Sequence, residues 1–220
     1  MKLLTEFQDS IQRELAWRKR EISAIKISAM RVDDSAQHVF RSGQVILCAH
    51  WEGFLKKSVT LYISHVFSQK FKLREYSTNI ISIAYFKDVM NAASAKYPGS
   101  DDHHIKLART ILDTLDEVCE DPGWSPDTEG NPGSGVLQRI LKSVGLDAQL
   151  GMDAALWSTT KVFINDHLVK DRHIIAHGQN LPVVRESFLD RAERLIVLLD
   201  TLSGQLLDAA EARTYRSIRA

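Results

Sequence analysis

The residues best equipped for chemistry stand together in one octapeptide, Asp171-Arg172-His173-Ile174-Ile175-Ala176-His177-Gly178. It closes a helical pattern that begins at about Met152. At about 100° per residue, His173 and His177 lie one turn apart on the same face. Arg172 is about 140° from His177 by the same geometry, a separation its long side chain can bridge. Gly178 is placed to cap the helix C-terminus, which leaves His177 near the surface. An arginine and a histidine side by side suit phosphodiester chemistry. The guanidinium stabilises a phosphorane with a forked pair of hydrogen bonds, and imidazole moves protons near neutral pH. RNA brings its own nucleophile, the 2′-hydroxyl, so no metal or other cofactor is required. Two other readings fit the same residues. Arginine and histidine at a helix C-terminus complement the macrodipole without any further role. His173 and His177 could also be two metal ligands, but Ile174 stands where the HExxH signature carries glutamate, so acid–base chemistry is preferred over metal.

Two more clusters hold polar residues of interest. His50-Trp51-Glu52-Gly53-Phe54 puts a glutamate inside an apolar helical stretch. Glu52 needs a partner if it is buried, and by itself is better read as facing solvent. Asp101-Asp102-His103-His104 has the residue types of a metal site. It follows a turn and opens a helix, so N-capping explains its aspartates. Cys48 and Cys119 show no metal-type spacing and read as buried thiols of a reducing compartment.

The elements that must position these residues are helices. Leu4, Phe7, Ile11, Leu15, Ile22 and Ile25 recur largely at steps of three or four, which predicts a helix over about 3–30. Asp33 and Asp34 are placed to cap a second, long helix from about Ser35 to Phe67, with Val39, Ile46, Ala49, Leu55, Val59 and Ile63 among its apolar content. A third is expected from Thr78 or Asn79 to just before Tyr97-Pro98-Gly99, and a fourth from after Ser100-Asp101-Asp102 to about Cys119. Residues 121–135, DPGWSPDTEGNPGSG, carry too many prolines and glycines for a helix and read as a long loop inside one domain. Helical patterns resume over Val136–Val144, Met152–His177 and Val184–Ala212, and no strand pattern appears. The expected fold is an all-α bundle with a long loop before the penultimate helices, forming a single domain over 1–220.

Composition narrows the function further. In 220 residues, 28 Lys and Arg balance 28 Asp and Glu. Net neutrality argues against a broad basic surface that coats nucleic acid, but leaves room for a local basic cleft. The N-terminal MKLLTEFQDS is interrupted by charge before a signal-peptide core can form. No apolar run reaches the ~18 residues of a membrane helix. A cytoplasmic protein with no membrane contact is expected.

Taken together and in order, three features carry a family resemblance. Trp51-Glu52-Gly53-Phe54 lies on the long second helix. Asn131 to Leu146, NPGSGVLQRILKSVGL, places an asparagine loop before a helix that ends in a glycine-leucine turn. Leu168-Val169 and Arg172 to Gly178 close the set. The chain resembles the MAE-type, RiboL-PSP-HEPN branch of the HEPN superfamily over roughly 36–205. That resemblance implies a helical bundle and a homodimer with the arginine and histidine of each copy on facing helices. It also implies a metal-independent endoribonuclease of a toxin–antitoxin or phage-defence system, with an antitoxin or defence protein as possible partner. Carried over by position, Arg172 would stabilise the phosphate and His177 would transfer the proton. His173 stands where the family usually has a polar residue, and Glu52 would orient or neutralise the basic pair. Some members carry a tyrosine soon after the histidine that a partner modifies; Gln179, Asn180 and Leu181 stand here instead, so that route of silencing is not implied. The alternatives are a non-catalytic HEPN module binding RNA, a nucleotide or a partner protein, and a plain helical dimerisation protein.

Overall fold

A computed structural model describes residues 2–94 and 102–217. Three long helices dominate: α1 (Lys2–Arg31), α2 (Gln37–Ser68) and α9 (Arg185–Ala212), each packed on the other two. α1 buries one stripe, Phe7, Ile11, Leu15, Ile22 and Ala29. α2 is different. Trp51, Phe54, Leu55, Val59, Tyr62, Ile63 and Val66 are all fully buried, and by their spacing they cover about half of the helix circumference. So broad a buried face reflects packing against both α1 and α9, while Ser42, Lys56 and Lys57 keep the opposite side in solvent. Ile46 and Ala49, expected in its core face, are exposed instead. Truncating a ring such as Phe54 on this face removes about 3–5 kcal/mol by transfer and cavity terms together.

The link into α2 is built without the expected caps. Ala36 is the N-cap residue and no side chain bonds the first turn. Asp33 instead folds back on the backbone N–H of Ser35 at 2.9 Å, a local turn that competes with capping. Asp34 is drawn away to Arg185, 2.9 Å distant on α9.

The expected third helix is two, α3 (Thr78–Ala84) and α4 (Phe86–Ser94). They part at Tyr85, whose buried ring places its hydroxyl 2.9 Å from that of Thr114. The turn expected at Tyr97-Pro98-Gly99 lies outside the described residues, as does Asp101. α5 (His103–Thr114) starts after Asp102, which is left-handed at φ 54° and makes no side-chain cap bond. It also ends well before Cys119. The amides of Leu73 and Arg74 take the carbonyls of Glu117 and Leu115 at 3.0 and 2.9 Å, which pulls that segment out of the helix. A 3₁₀ turn spans Leu73–Glu75. Among the described residues there are isolated bridges, Lys72–Val118 and Tyr76–Arg216, and no strand.

After the irregular loop come α6 (Ser134–Ser143) and α7 (Ala154–Val162), the latter capped by Asp153, whose carboxylate accepts from Leu156 N at 2.8 Å. α7 runs without a break through a π-helical segment (Phe163–Lys170) into α8 (Asp171–Ala176). The hydrophobic core is continuous from Phe7 to Tyr215 and draws on residues from both sides of the 121–135 loop, among them Trp51, Leu137, Phe163 and Phe188. Among the described residues no helix is long and apolar enough to cross a membrane.

Candidate active site

α8 owes its position to both of its ends. At the C-terminus the backbone N–H of Gly178 bonds Ile175 O at 3.0 Å and that of Gln179 bonds Ile174 O at 3.1 Å. These reversed bonds require a left-handed residue, and Gly178 supplies it at φ +75°. The cap fixes His177 as the C-cap residue, directly after the last residue of the helix, Ala176. At the N-terminus Asp171 pairs with Arg191 of α9 at 2.9 Å, with both side chains largely buried. Arg191 also donates to Gln44 Oε1 at 3.0 Å and contacts His167 Nδ1 at 3.2 Å. Gln44, wholly buried on α2, returns a bond to the carbonyl of His167 inside the π segment. In a π-helix the backbone bonds run i→i+5, and such segments occur often at functional sites. Here the segment is tied by side chains to α2 and α9 just before Arg172.

Arg172 turns toward α2 and the long loop. Its Nη1 donates to Asn131 Oδ1 at 3.2 Å and its Nη2 to the Gly130 carbonyl at 2.9 Å. Glu52 Oε2 lies 3.8 Å from Nη2. The carboxylate is itself held, since Glu52 Oε1 accepts from the Thr128 hydroxyl at 2.7 Å. Glu129 and Gly130 are both left-handed, φ 55° and 66°, and glycine accepts that conformation without strain. Guanidinium has five N–H donors, so the bonds to Asn131 and Gly130 leave others for a phosphate.

The neighbours of Glu52 explain the rest of that tetrapeptide. Trp51 donates its indole N–H to the Pro132 carbonyl at 2.7 Å and pins the loop to α2. Gly53 lets the buried Arg18 lie flat on the helix, because a Cβ there would sit 3.1 Å from Arg18 Nη1. Phe54 goes to the core. The loop is held at its far end too: Asn165 of the π segment accepts from Ser134 N at 2.8 Å, at the start of α6.

His173 and His177 stand apart from this lattice. Both are exposed. Their rings meet each other with centroids 4.2 Å apart at 57°. Among the described residues neither ring has an ion pair, and no three His, Cys, Asp or Glu side chains gather as a metal-ligand set. The structure thus brings Glu52 to Arg172, and His173 to His177. Cys48, one turn before Glu52 on α2, lies against the Arg172 guanidinium, but burial pushes its thiol up to about 11, so it is no nucleophile near neutral pH. Cys119 is half-buried, and both thiols are free.

Sequence reasoning missed Thr128, Gln44, His167 and Arg191, which hold the site residues in place. None carries a local signal. Their partners lie 76 residues away for Thr128 with Glu52, and 147 for Arg191 with Gln44. Asn131 was visible as part of the loop pattern, though not its bond to Arg172.

A long helix with Trp-Glu-Gly on the face that receives an arginine, and a capped helix carrying that arginine and a terminal histidine, define a HEPN-type domain. A family model described as RiboL-PSP-HEPN matches residues 13–208. The chain therefore belongs to the RiboL-PSP-HEPN family of the HEPN superfamily, as a module of nuclease or RNA-binding type. The matched stretch begins earlier than the resemblance over 36–205 implied and takes in most of α1. No curated protein and no solved structure matches the chain.

Proposed function

We propose that the chain is a metal-independent endoribonuclease, acting as a toxin or in defence against phage, with Arg172 and His177 as its catalytic pair. One observation carries this reading: Arg172 is held by Glu52, Asn131 and Gly130, while His177, about 7.5 Å further along the helix axis, is left open to solvent. A charge-stabilising group works best when it is already in position, and a proton-transfer group must be free to meet the substrate. In the proposed reaction the RNA 2′-oxygen attacks the adjacent phosphorus and its proton passes to imidazole. Arg172 stabilises the dianionic phosphorane. The 5′-oxygen leaves with a proton, giving a 2′,3′-cyclic phosphate and a 5′-hydroxyl. One imidazole cannot be base and acid on opposite sides of the phosphorus at once. His173, or His177 from a second copy in a two-fold dimer, supplies the other group.

The test is to incubate purified protein with RNA and with DNA, in a chelator, and to analyse the product ends. RNA should be cut to cyclic-phosphate ends and DNA spared, since DNA lacks the nucleophile. His177→Ala should abolish cleavage and any growth defect on expression, while thermal unfolding stays near wild type because the ring is exposed. Mass in solution should be twice the 24.9 kDa chain. A growth defect untouched by His177→Ala, or activity lost to chelator and restored by a divalent ion, would overturn the proposal. RNA bound but never cut would leave a binding module.

A further inference from the structure

Beyond the pair itself, one cation at the histidine end of the site has no assigned purpose. Arg41 lies on α2, and residues 41, 48 and 52 share one face of that helix by their spacing of seven and four. Cys48 and Glu52 are the residues that meet Arg172. Arg41 sits about 10 Å up the helix from Cys48 at 1.5 Å per residue. There its Nη2 donates to the Gln179 carbonyl at 2.8 Å, two residues past His177 and within the Gly178 cap. The side chain is half-buried and its Nε is buried with no acceptor.

What sets Arg41 apart is the missing anion. The other arginines that frame α8 and its neighbours each have a carboxylate: Arg172 has Glu52 at 3.8 Å, Arg185 has Asp34 at 2.9 Å, and Arg191 has Asp171 at 2.9 Å. Among the described residues Arg41 has none within 4.0 Å, and its one hydrogen bond is to a backbone carbonyl. A guanidinium that is partly desolvated, with a donor unfilled and no counter-charge, is an incomplete ion pair. Its surroundings on the open side are polar and exposed: His38 one turn earlier on α2, with Gln179 and Asn180 after the cap.

We propose that Arg41 forms a second phosphate subsite, which takes a backbone phosphate of single-stranded RNA one or two nucleotides from the one held by Arg172. The inference rests on the ribonuclease reading and deepens it. The chemistry is that of a planar fork matched to phosphate oxygens, with the free edge of the guanidinium as donor. The spacing along α2 puts it beyond the scissile group, so it selects for a chain of nucleotides over a single mononucleotide.

The simpler role, a peg for the turn after Gly178, is separated from this one by charge. Arg41→Gln keeps a donor for the Gln179 carbonyl and loses the cation; Arg41→Lys keeps the cation. The probe is a 2′-O-methyl oligoribonucleotide, which cannot be cut because it lacks the nucleophilic hydroxyl. Binding is followed from about 50 to 200 mM salt, and each phosphate contact on a single strand contributes about 0.7 to the slope of log K against log salt. Arg41→Gln should lower the slope by about 0.7 and Arg41→Lys should keep it. A wild-type slope in Arg41→Gln overturns the subsite. As a check that needs no substitution, bound oligonucleotide should protect Arg41 in the wild-type protein from a dicarbonyl reagent, read by mass spectrometry; full modification overturns it equally. Cleavage of ordinary RNA with neither effect removes only the subsite, whereas absence of both binding and cleavage removes the ribonuclease reading with it.

Discussion

The two ends of α8 are built on opposite principles. At the arginine end, side chains from α2, α9 and the long loop converge, and Asp171 and Arg172 are each held by partners far away in sequence. At the histidine end, a backbone cap fixes where the helix stops and leaves both imidazoles exposed, with each other as ring neighbours. Tertiary contacts thus determine the position of the guanidinium, and local geometry the position of the imidazoles that the proposed reaction uses for proton transfer. For a reaction on a flexible polyanion this division is useful. Electrostatic stabilisation gains most from groups that need no reorganisation, while a proton shuttle needs room to turn.

The contrast is broken most severely by removing the clamped group. Arg172→Ala should lower RNA cleavage by about 10²–10³-fold, by analogy with loss of one oxyanion donor. Arg172→Lys should recover little of it, because a single ammonium cannot reproduce the fork held by Asn131 and Gly130. Single-turnover rates measure both, and a lysine variant with wild-type rate would show that the clamp has no part in the chemistry.

Comparable in size, but read in stability and not in rate, is the effect of cutting the tie behind the arginine. Arg191→Met leaves Asp171 buried without its partner, so the expected cost is about 3–5 kcal/mol in denaturant unfolding. Replacing Asp171 and Arg191 together by apolar residues should cost less than the single change. Equal costs would mean that the pair is no buried unit.

The histidine end should respond more gently. Nothing lies within 4 Å of a Cβ built on Gly178, so Gly178→Ala meets no clash and suffers only from φ +75°. That amounts to about 1–2 kcal/mol. Gly204, in α9 with equally open space, is the control: Gly204→Ala should stabilise by about 0.5–1 kcal/mol. Opposite shifts in thermal midpoint would separate backbone conformation from crowding.

The smallest effect should be a drift with pH that arises away from both ends. Burial lowers the pKa of His50 and of His65, with Glu21 only partly offsetting it at His50. Both are therefore stabilising when neutral. That stability is present above the unfolded histidine value of about 6.5 and is lost as pH falls through the lowered folded values. Thermal midpoints should decline from pH 7.5 toward pH 5, and the decline should shrink in His65→Gln. A flat profile would contradict the burial of both rings.

These comparisons also mark how far the sequence could be read. Apolar spacing located α1, α2, α6 and α9 closely, because each helix buries a face whose pattern is local. The Arg172–Gly178 segment was legible for the same reason, and its glycine announced the cap. Where the reading failed, a distant partner decided. Tyr85 splits one expected helix into two because its hydroxyl meets Thr114. Asp34 leaves the start of α2 for Arg185. The π winding of 163–170 has no signature in its own residues, and Gln44 meets its His167 carbonyl from another helix. At the site, residue types and order were visible, and the resemblance implied that Glu52 serves the basic pair, but not that Asn131 joins it on Arg172 while the histidines stand apart.

The π segment has a consequence for chain length. Its i→i+5 winding takes up about one residue more per turn than an α-helix, so Phe163–Lys170 absorbs one or two residues that a plain helix joining α7 to α8 would not need. Related chains shorter by that number between Phe163 and Lys170 can present the same two faces, one to the core and one carrying the arginine. A gap at this place that spares Asn165 and His167 should therefore keep the bonds that tie the segment to Ser134, Gln44 and Arg191. A gap of one residue between Arg172 and His177 would turn one member of the proposed pair by about 100° relative to the other.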